Sequence, residues 1–261
     1  MPETGWILNG LPSKNVENDW RFETAVRAGI VSRDVIPESK DLREPWWDVG
    51  NQKHTGSCVG WAVGDGVCRW HFVKAGRIAK DERLSPRYLW MAAKETDDDT
   101  SQPTSFIEEA GTTLKAALDV ARVYGVVRES VLPFEPPTLY AHELDTFYAI
   151  ASQLKIASYF NLAVNLSEWK QWVAFNGPLA ARLVFDQTFD SVKKDGLLDV
   201  YRPYPKKYWR RQGHFVAIVG YDAGHFLIRN SWNDTWGDEG FGYATLEYAK
   251  DAFTEAYGIS V

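Results

Sequence analysis

A cysteine, a histidine and an asparagine lie at the ends of predicted helices and strands in the two halves of the chain. Cys58 opens a segment whose apolar residues recur at helical spacing up to about residue 76, and Ser57 is its predicted N-cap. Far downstream, His214 begins a predicted strand and Asn230 ends the next one. The turn at 221–224 predicts that these strands pair as a hairpin, which brings their ends together. A fold that uses all three residues must therefore join a helical half to a β-rich half.

Hydrophobic periodicity divides the rest of the chain in the same way. Helical spacing predicts helices over 20–26, 86–94, 113–124, 144–154 and 165–177. Asn165 is the predicted N-cap of the last of these, with Glu168 three residues further on. Apolar runs bounded by turn residues predict strands over 179–185, 215–220, 226–229 and 242–246. Polar residues predict a surface loop over 96–105.

These elements predict an α+β fold with two lobes. We expect an N-terminal extension at residues 1–37, a helical lobe at 38–140 that carries the nucleophile, and a β-rich lobe at 141–261 that carries the histidine and the asparagine. The extension is either a short latency segment that crosses the cleft or an extra layer on the β-rich lobe. Its aromatic residues favour the layer: Trp6, Trp20 and Phe22.

Composition and charge narrow the classes of function. A net charge of −6 without a basic stripe argues against nucleic acid as a partner. Two cysteines do not make a disulfide framework, and no His or Cys pair has metal-ligand spacing, so neither a metal nor another cofactor is expected. We found no apolar run of membrane-spanning length and no signal-peptide pattern, which predicts no membrane partner and a reducing, cytoplasmic location.

His214 and Asn230 can activate the Cys58 thiol, and Gln52 can assist its reaction. A cysteine at a helix N-terminus has its thiolate stabilised by the helix dipole and by free backbone amides. The Asn230 carbonyl is expected to accept the Nδ1–H of His214, which leaves Nε2 facing Cys58. Trp232 would shield that hydrogen bond from water. Gln52 and the backbone N–H of Cys58 can converge on one oxygen as an oxyanion hole.

The other histidines and a structural role for the cysteine are the competing interpretations. A single cysteine is more often a small buried hydrophobic residue than a nucleophile. His54 would have to bend back from its loop, and His71 lies in mid-helix. His142 follows a proline-rich boundary between the lobes, marked by Pro133, Pro136 and Pro137, and His225 opens a strand. His214 is preferred as the base because the predicted hairpin places it beside an amide that can orient it.

Three motifs carry a resemblance to a known family. They are Asn51-Gln52 through Cys58-Val59-Gly60-Trp61-Ala62, His214 through Tyr221, and Asn230-Ser231-Trp232 with Trp236-Gly237. In order, spacing and flanking residues they resemble the papain-like cysteine peptidases. Further similarity lies at Asp41-Leu42-Arg43, Leu84-Ser85-Pro86, 111–125, 132–134 and Gly177-Pro178, so the resemblance covers residues of about 38–261.

The resemblance implies a papain-like two-lobe fold, with a helical left lobe, a β-barrel-like right lobe and the active site in the cleft between them. It implies that Cys58 is the nucleophile, His214 the acid and base, Asn230 the orienting residue and Gln52 the oxyanion donor. The implied reaction is hydrolysis of peptide bonds in a peptide or protein through a thioester acyl-enzyme, without a metal or cofactor.

Several positions depart from the family pattern. Thr55 replaces a frequent cysteine, Val59 replaces an aromatic residue, and Asn233 stands where glycine is usual. Cys68 lies on the same predicted helix as Cys58, so the two cannot bridge and Cys68 is expected as a buried free thiol. These departures indicate an intracellular branch, microbial or viral, and leave the implied catalytic roles intact.

The resemblance also implies that the second-subsite pocket, which takes the second residue before the scissile bond in the acyl part of the substrate, lies between two walls of the cleft. The predicted binding residues are Ala110, Gly111, Thr112, Ala180, Arg182 and Trp232. Strand alternation from Pro178 directs Arg182 toward the cleft, where it would favour an acidic or polar side chain. The alternative is a guanidinium that reaches solvent at the rim.

Two alternative functions share these residues. The same triad can transfer the acyl group to an amine, as in peptide ligation or transpeptidation, because hydrolysis and transfer differ only in access of water to the acyl-enzyme. A catalytically silent binding scaffold is a further alternative, against which the intact set of four residues argues.

Overall fold

Helices dominate the first half of the fold and strands the second, in a computed structural model that describes residues 5–97, 110–135, 143–205 and 213–261. The helices are α1 (Phe22–Arg27), α2 (Cys58–Gly60), α3 (Arg69–Lys74), α4 (Pro86–Thr96), α5 (Leu114–Val123), α6 (Leu144–Ala151), α7 (Leu166–Phe175), α8 (Gln187–Asp190) and α9 (Leu246–Ala252). The strands are β1 (Lys40–Asp41), β2 (Ser158–Asn161), β3 (Leu179–Val184), β4 (Leu197–Leu198), β5 (Gly213–Tyr221), β6 (His225–Arg229), β7 (Phe241–Thr245) and β8 (Phe253–Ser260).

The helical run that starts at Cys58 is continuous but not uniformly α-helical. A π-helix over Trp61–Cys68 joins α2 to α3, and all of its residues are buried. The predicted N-cap is wrong in one respect: Ser57 occupies the cap position, but its hydroxyl makes no capping bond and lies 2.6 Å from the Thr55 hydroxyl. The apolar spacing predicted the length of the run, and the π-helix was not predicted.

Three of the other predicted helices start with a side-chain cap. The hydroxyls of Ser85 and Thr113 accept the backbone N–H of Tyr88 and Ala116 at the starts of α4 and α5. The predicted Asn165 cap is present at the start of α7, where its side-chain oxygen accepts the N–H of Glu168 at 3.4 Å. These caps supply acceptors for backbone donors that have no partner within the helix.

One sheet contains all eight strands. The order is β2-β8-β3-β5-β6-β7-β4, and β1 pairs with β5 outside this path. The predicted hairpin is present, because β5 and β6 are antiparallel neighbours joined at Asp222. The expectation of a barrel-like lobe is wrong: among the described residues no pairing joins β2 to β4, so the sheet stays open.

A buried ionic cluster joins the helical run to the strand that precedes Asn230. Asp65 lies in the π-helix with a fully buried carboxylate, and its oxygens are 2.6 Å from Arg229 Nη2 and 3.1 Å from Arg69 Nη1. Because Arg229 ends β6, this contact sets the position of β6 relative to the helix that starts at the nucleophile.

The N-terminal extension follows two different paths. Residues 5–13, here called the covering segment, lie between Gly111 and Gly213, and its Asn9 bridges to Gly213. Residues 19–31, here called the anchoring segment, contain α1 and contribute buried side chains to the core: Phe22, Ala25 and Val31. The two parts of the extension therefore differ in position: the covering segment passes Gly111 and Gly213, and the anchoring segment packs into the core.

Some sequence predictions fall outside the described ranges. They include most of the predicted loop at 96–105, part of the proline-rich boundary and His142. Within the described parts of the chain, no helix combines the length and the apolar character that a membrane span requires.

Candidate active site

Cys58 lies at the first position of α2 and is fully buried. The backbone amide of Phe215 hydrogen-bonds its sulfur, so the thiol sits beside β5 next to His214. Burial raises the pKa of Cys58 to about 11, although the amides of Phe215 and Val59 act in the opposite direction. The thiolate expected at a helix N-terminus is thus not favoured while the cleft is covered, because the loss of water outweighs the amides.

His214 and Asn230 are in contact, but through the other ring nitrogen from the one predicted. The distance of 2.8 Å joins His214 Nε2 to Asn230 Oδ1. His214 Nδ1 is buried and has no hydrogen-bond partner among the described residues. The thiol lies against the backbone of β5, so Nδ1, which is nearer the backbone, is the nitrogen left for it. The residue types predicted the contact between His214 and Asn230. The packing of the strands determines which ring nitrogen faces Asn230 and which faces the thiol.

Aromatic rings enclose this imidazole. The ring centroids of Trp232 and Phe189 lie 4.9 Å and 5.5 Å from that of His214. Burial lowers the pKa of His214 to about 4, and the hydrogen bond to Asn230 opposes this only in part. The predicted packing of Trp232 against the His–Asn pair is present. In this covered state both the thiol and the imidazole are neutral near pH 7.

Gln52 is held with its amide nitrogen turned toward the cleft. Its Oε1 accepts hydrogen bonds from Ser231 Oγ at 2.9 Å and from Trp232 Nε1 at 3.2 Å. Its Nε2 therefore points away, and it lies 3.1 Å from the Thr55 carbonyl and 3.4 Å from the Ile7 carbonyl. The contact of Ser231 with Gln52 was not predicted, although Ser231 lies between Asn230 and Trp232 in the same motif.

The covering segment occupies the space in front of these residues. Gly10 donates its N–H to the Gly213 carbonyl at 2.8 Å, and Leu11 donates to the Thr112 carbonyl at 2.9 Å. A Cβ at Gly10 would lie 2.7 Å from the Phe215 ring, so only glycine passes here without a shift. The path of the covering segment was not predicted from the sequence.

The predicted substrate-binding residues divide into two groups. Gly111, Thr112 and Trp232 contact the covering segment, and Arg182 donates from Nε and Nη2 to the Gly10 carbonyl at 3.1 and 3.0 Å. Arg182 is about nine-tenths buried, so its guanidinium does not reach solvent at the rim. Ala110 and Ala180 are buried.

The remaining described histidines lie apart from the thiol. His225 contacts Asp222 in the β5–β6 turn, and His71 is buried in α3, where burial lowers its pKa to about 4. His54 is exposed and its Nδ1 lies 2.8 Å from the Gly5 carbonyl.

The departures from the family pattern have local explanations. The Thr55 hydroxyl donates to the Gln52 carbonyl at 2.7 Å and so closes the loop before the nucleophile without a disulfide. Asn233 has φ +69°, a left-handed conformation that asparagine tolerates better than most residues do. Cys68 is free and buried, as expected.

Comparisons with known proteins identify the class of protein that this fold and cleft belong to. The model of the papain family of cysteine proteases matches residues 36–259, so the chain belongs to this family.

The individual relatives share only a low sequence identity with this chain. The chain is 28% identical over 231 residues to cathepsin J of Mus musculus, a match covering 83% of this chain and 61% of that protein. It is 25% identical over 232 residues to the probable cysteine protease RD19B of Arabidopsis thaliana, covering 83% and 60%. The chain thus spans about three fifths of the length of these relatives. Xylellain, a cysteine protease from Xylella fastidiosa, shares the fold with a TM-score of 0.76 and 21% identity, over 98% of this chain and 96% of that one.

Proposed function

We propose that the protein hydrolyses peptide bonds through a thioester formed on Cys58. The observation that carries this proposal is the contact between His214 Nε2 and Asn230 Oδ1, which leaves Nδ1 free to exchange a proton with the thiol. Family membership supports the same chemistry. No contact among the described residues favours transfer of the acyl group to an amine over transfer to water, so hydrolysis is the function proposed.

Each residue has a role in the proposed reaction. His214 accepts the Cys58 proton at Nδ1 as the sulfur attacks the carbonyl carbon, and it then gives that proton to the leaving amine. Asn230 accepts the Nε2–H and holds the imidazole in this orientation. Gln52 Nε2 and the Cys58 N–H stabilise the oxyanion, since Ser231 and Trp232 orient the Gln52 amide beforehand.

Labelling and cleavage together test the catalytic roles. We expect an epoxide probe to form an adduct on Cys58 in a chain without residues 1–13, and Cys58→Ala to abolish both the adduct and the cleavage of fluorogenic peptides. His214→Ala should lower kcat/KM by about 10²–10⁴-fold, the usual contribution of general acid–base catalysis. Cleavage by Cys58→Ala at the parental rate would overturn the proposal.

We also propose that the covering segment keeps the full chain latent. It supplies a carbonyl, that of Ile7, to the oxyanion donor and another, that of Gly10, to Arg182. Burial beneath it disfavours the charged forms of both Cys58 and His214. The anchoring segment has a separate, structural role, because its apolar side chains lie in the core and the Asp19 carboxylate is bonded to Asn161 and Tyr257.

Two truncations separate these roles. Removal of residues 1–13 should raise the rate of Cys58 labelling and lower the unfolding midpoint only slightly, because it removes one buried leucine, Leu8. Removal of residues 1–38 should lower the unfolding midpoint further, because it also removes the buried side chains of the anchoring segment, and burying one Phe or Val side chain contributes about 1.5–3 kcal/mol. Equal labelling of the full chain and of the chain without residues 1–13 would contradict latency.

The cellular location is proposed only from the chemistry of the two cysteines. Both cysteines are free thiols, and Cys58 must stay reduced to act as a nucleophile, which supports a reducing compartment such as the cytoplasm.

A further inference from the structure

The covering segment places an aromatic ring beyond the nucleophile, on the side opposite Gly111. The ring of Trp6 lies parallel to that of Trp232, with centroids 4.9 Å apart and an interplanar angle of 0°. The same ring lies 6.2 Å from the His54 imidazole at 29°. Offset stacking at such distances is attractive beyond the area that it buries. Trp6 is thus held by two rings of the cleft.

His54 adds a polar contact to this ring contact. Its Nδ1 lies 2.8 Å from the carbonyl oxygen of Gly5, so the imidazole donates to the backbone just before Trp6. His54 belongs to the short loop between Gln52 and Cys58, which the Thr55–Gln52 hydrogen bond closes. The loop that carries the oxyanion donor therefore also presents an imidazole that the proposed reaction does not use.

This side of the cleft is where the leaving amine of a substrate must lie. The general acid protonates that amine, and Trp232 packs directly on the imidazole of His214. The opposite side holds Gly111 and Thr112, where the family resemblance places the acyl part of the substrate. The rings of Trp232 and His54 therefore face the residues that follow the scissile bond.

We propose that Trp232 and His54 form an aromatic slot that selects substrates with an aromatic residue at the first or second position after the scissile bond. His54 contributes the second ring of this slot. This assignment rests on the proposed peptidase function and names a substrate class for it.

The aromatic preference does not depend on chain direction. The covering segment runs from the Trp232 side toward Gly111, whereas a substrate that places its acyl part against Gly111 runs the other way. Backbone hydrogen bonds depend on chain direction, so those of the covering segment cannot be assigned to the corresponding residues of a substrate. Stacking of a ring between other rings does not depend on direction, so the preference for an aromatic side chain is retained.

The full chain tests the slot without any turnover. We expect Trp6→Leu to raise the rate at which iodoacetamide alkylates Cys58 about 2- to 12-fold over Trp6→Phe, since the two side chains differ in stacking. Trp20→Leu is the matched control, because Trp20 belongs to the anchoring segment and should leave the rate unchanged. His54→Ala should raise the rate in the parent chain and have a smaller effect when combined with Trp6→Leu. Equal rates for Trp6→Leu and Trp6→Phe would overturn the slot.

Substrate profiling tests the preference directly. Gly10→Leu in the full chain should displace the covering segment, because a side chain there meets the Phe215 ring. We expect this variant to cleave quenched peptides with Phe or Trp after the scissile bond at least about threefold faster than those with Leu, and His54→Ala to reduce the ratio. A ratio of one with measurable cleavage refutes the slot alone. If no peptide is cleaved while alkylation rates still differ between the Trp6→Phe and Trp6→Leu variants, the peptidase assignment fails instead.

Discussion

In the proposed reaction Asn230 acts only through His214, which makes its substitution informative. Its Oδ1 holds the distal ring nitrogen at 2.8 Å, so Asn230→Ala leaves the imidazole in place but free to rotate. We expect kcat/KM to fall about 10- to 100-fold, as for other groups that orient a functional histidine. The loss should be smaller than for His214→Ala when both are assayed on the same fluorogenic peptide in chains without residues 1–13. An equal or greater loss would mean that Asn230 contacts the reacting atoms.

Arg182 presents a buried cation to the cleft. Burial lowers its pKa, and its described hydrogen bonds go to the Gly10 carbonyl and to Thr254 Oγ1 at 2.8 Å. When the covering segment leaves, the bonds to Gly10 are lost and an acidic or polar substrate side chain can replace them. A peptide library should show this preference at the second position before the scissile bond, and Arg182→Ala should remove it. A purely aliphatic or aromatic preference, unchanged in Arg182→Ala, would contradict the prediction.

At the scale of single residues, the sequence predicts which groups meet but not how they meet. Cys58, His214, Asn230 and Gln52 were all predicted from their motifs, yet the ring nitrogen that contacts Asn230 was predicted wrongly. That choice depends on where β5 carries the thiol relative to the imidazole, which residue spacing does not encode. The raised pKa of Cys58 depends in the same way on burial by the packed fold, which residue spacing does not encode.

Among the elements, the π-helix and β6 are joined by one buried carboxylate. Asp65 is fully buried and contacts three arginines: Arg69, Arg83 and Arg229. Burial acts to raise the pKa of Asp65, but the three guanidinium groups together outweigh burial and hold that pKa below its usual range. Removing one partner of such a cluster leaves unpaired buried charge.

The matched substitutions Asp65→Ala and Asp48→Ala test whether the buried Asp65 carboxylate holds the π-helix against β6. We expect Asp65→Ala to lower the free energy of unfolding by about 3–5 kcal/mol, the usual cost of breaking a buried ion pair. Asp48 contacts two of the same arginines, but its side chain is 68% exposed, so Asp48→Ala should cost at most about 1 kcal/mol. Urea denaturation measures both. Equal effects would show that the cluster does not depend on burial.

Element positions were predicted well where local chemistry decides them. The caps at Ser85, Thr113 and Asn165 lie at helix starts that hydrophobic spacing also indicated. The π-helix and the open edge of the sheet were not predicted. Both depend on packing between distant elements, because Asp65 is positioned by β6 and the sheet edges by strands that are distant from each other along the chain.

For the molecule as a whole, the N-terminal extension combines two behaviours that the sequence presented as alternatives. Aromatic residues suggested a layer, and Phe22 does lie in the core, whereas Trp6 lies in the cleft. The exposed stretch at Lys14 and Asn15 separates these parts, with Asn15 in a left-handed conformation at φ +53°. Burial and cleft contacts distinguish the two parts, and neither is encoded in local composition.

Covering of the cleft should depend on pH through His214. Burial lowers the pKa of His214 to about 4, and a solvated histidine has a pKa of about 6.5. The uncovered state therefore binds a proton more readily between these values. The stability that covering gains from neutral His214 is fully present above about pH 6.5 and is lost as pH falls toward 4.

Hydrogen exchange of the covering segment measures this opening. The Gly10 N–H bonds to Gly213 and the Leu11 N–H bonds to Thr112, so both are protected only while the segment covers the cleft. One pKa unit corresponds to about a tenfold change in an equilibrium, so we expect protection to fall more than about tenfold between pH 7 and pH 5 after correction for intrinsic rates. The Ile30 N–H of the anchoring segment, bonded to the Ala25 carbonyl, is the internal control. His214→Phe should abolish the pH dependence, whereas His71→Phe should leave it intact because the described contacts of His71 lie in the core. Protection at Gly10 that is the same at both pH values would show that His214 remains uncharged for a reason other than its covering.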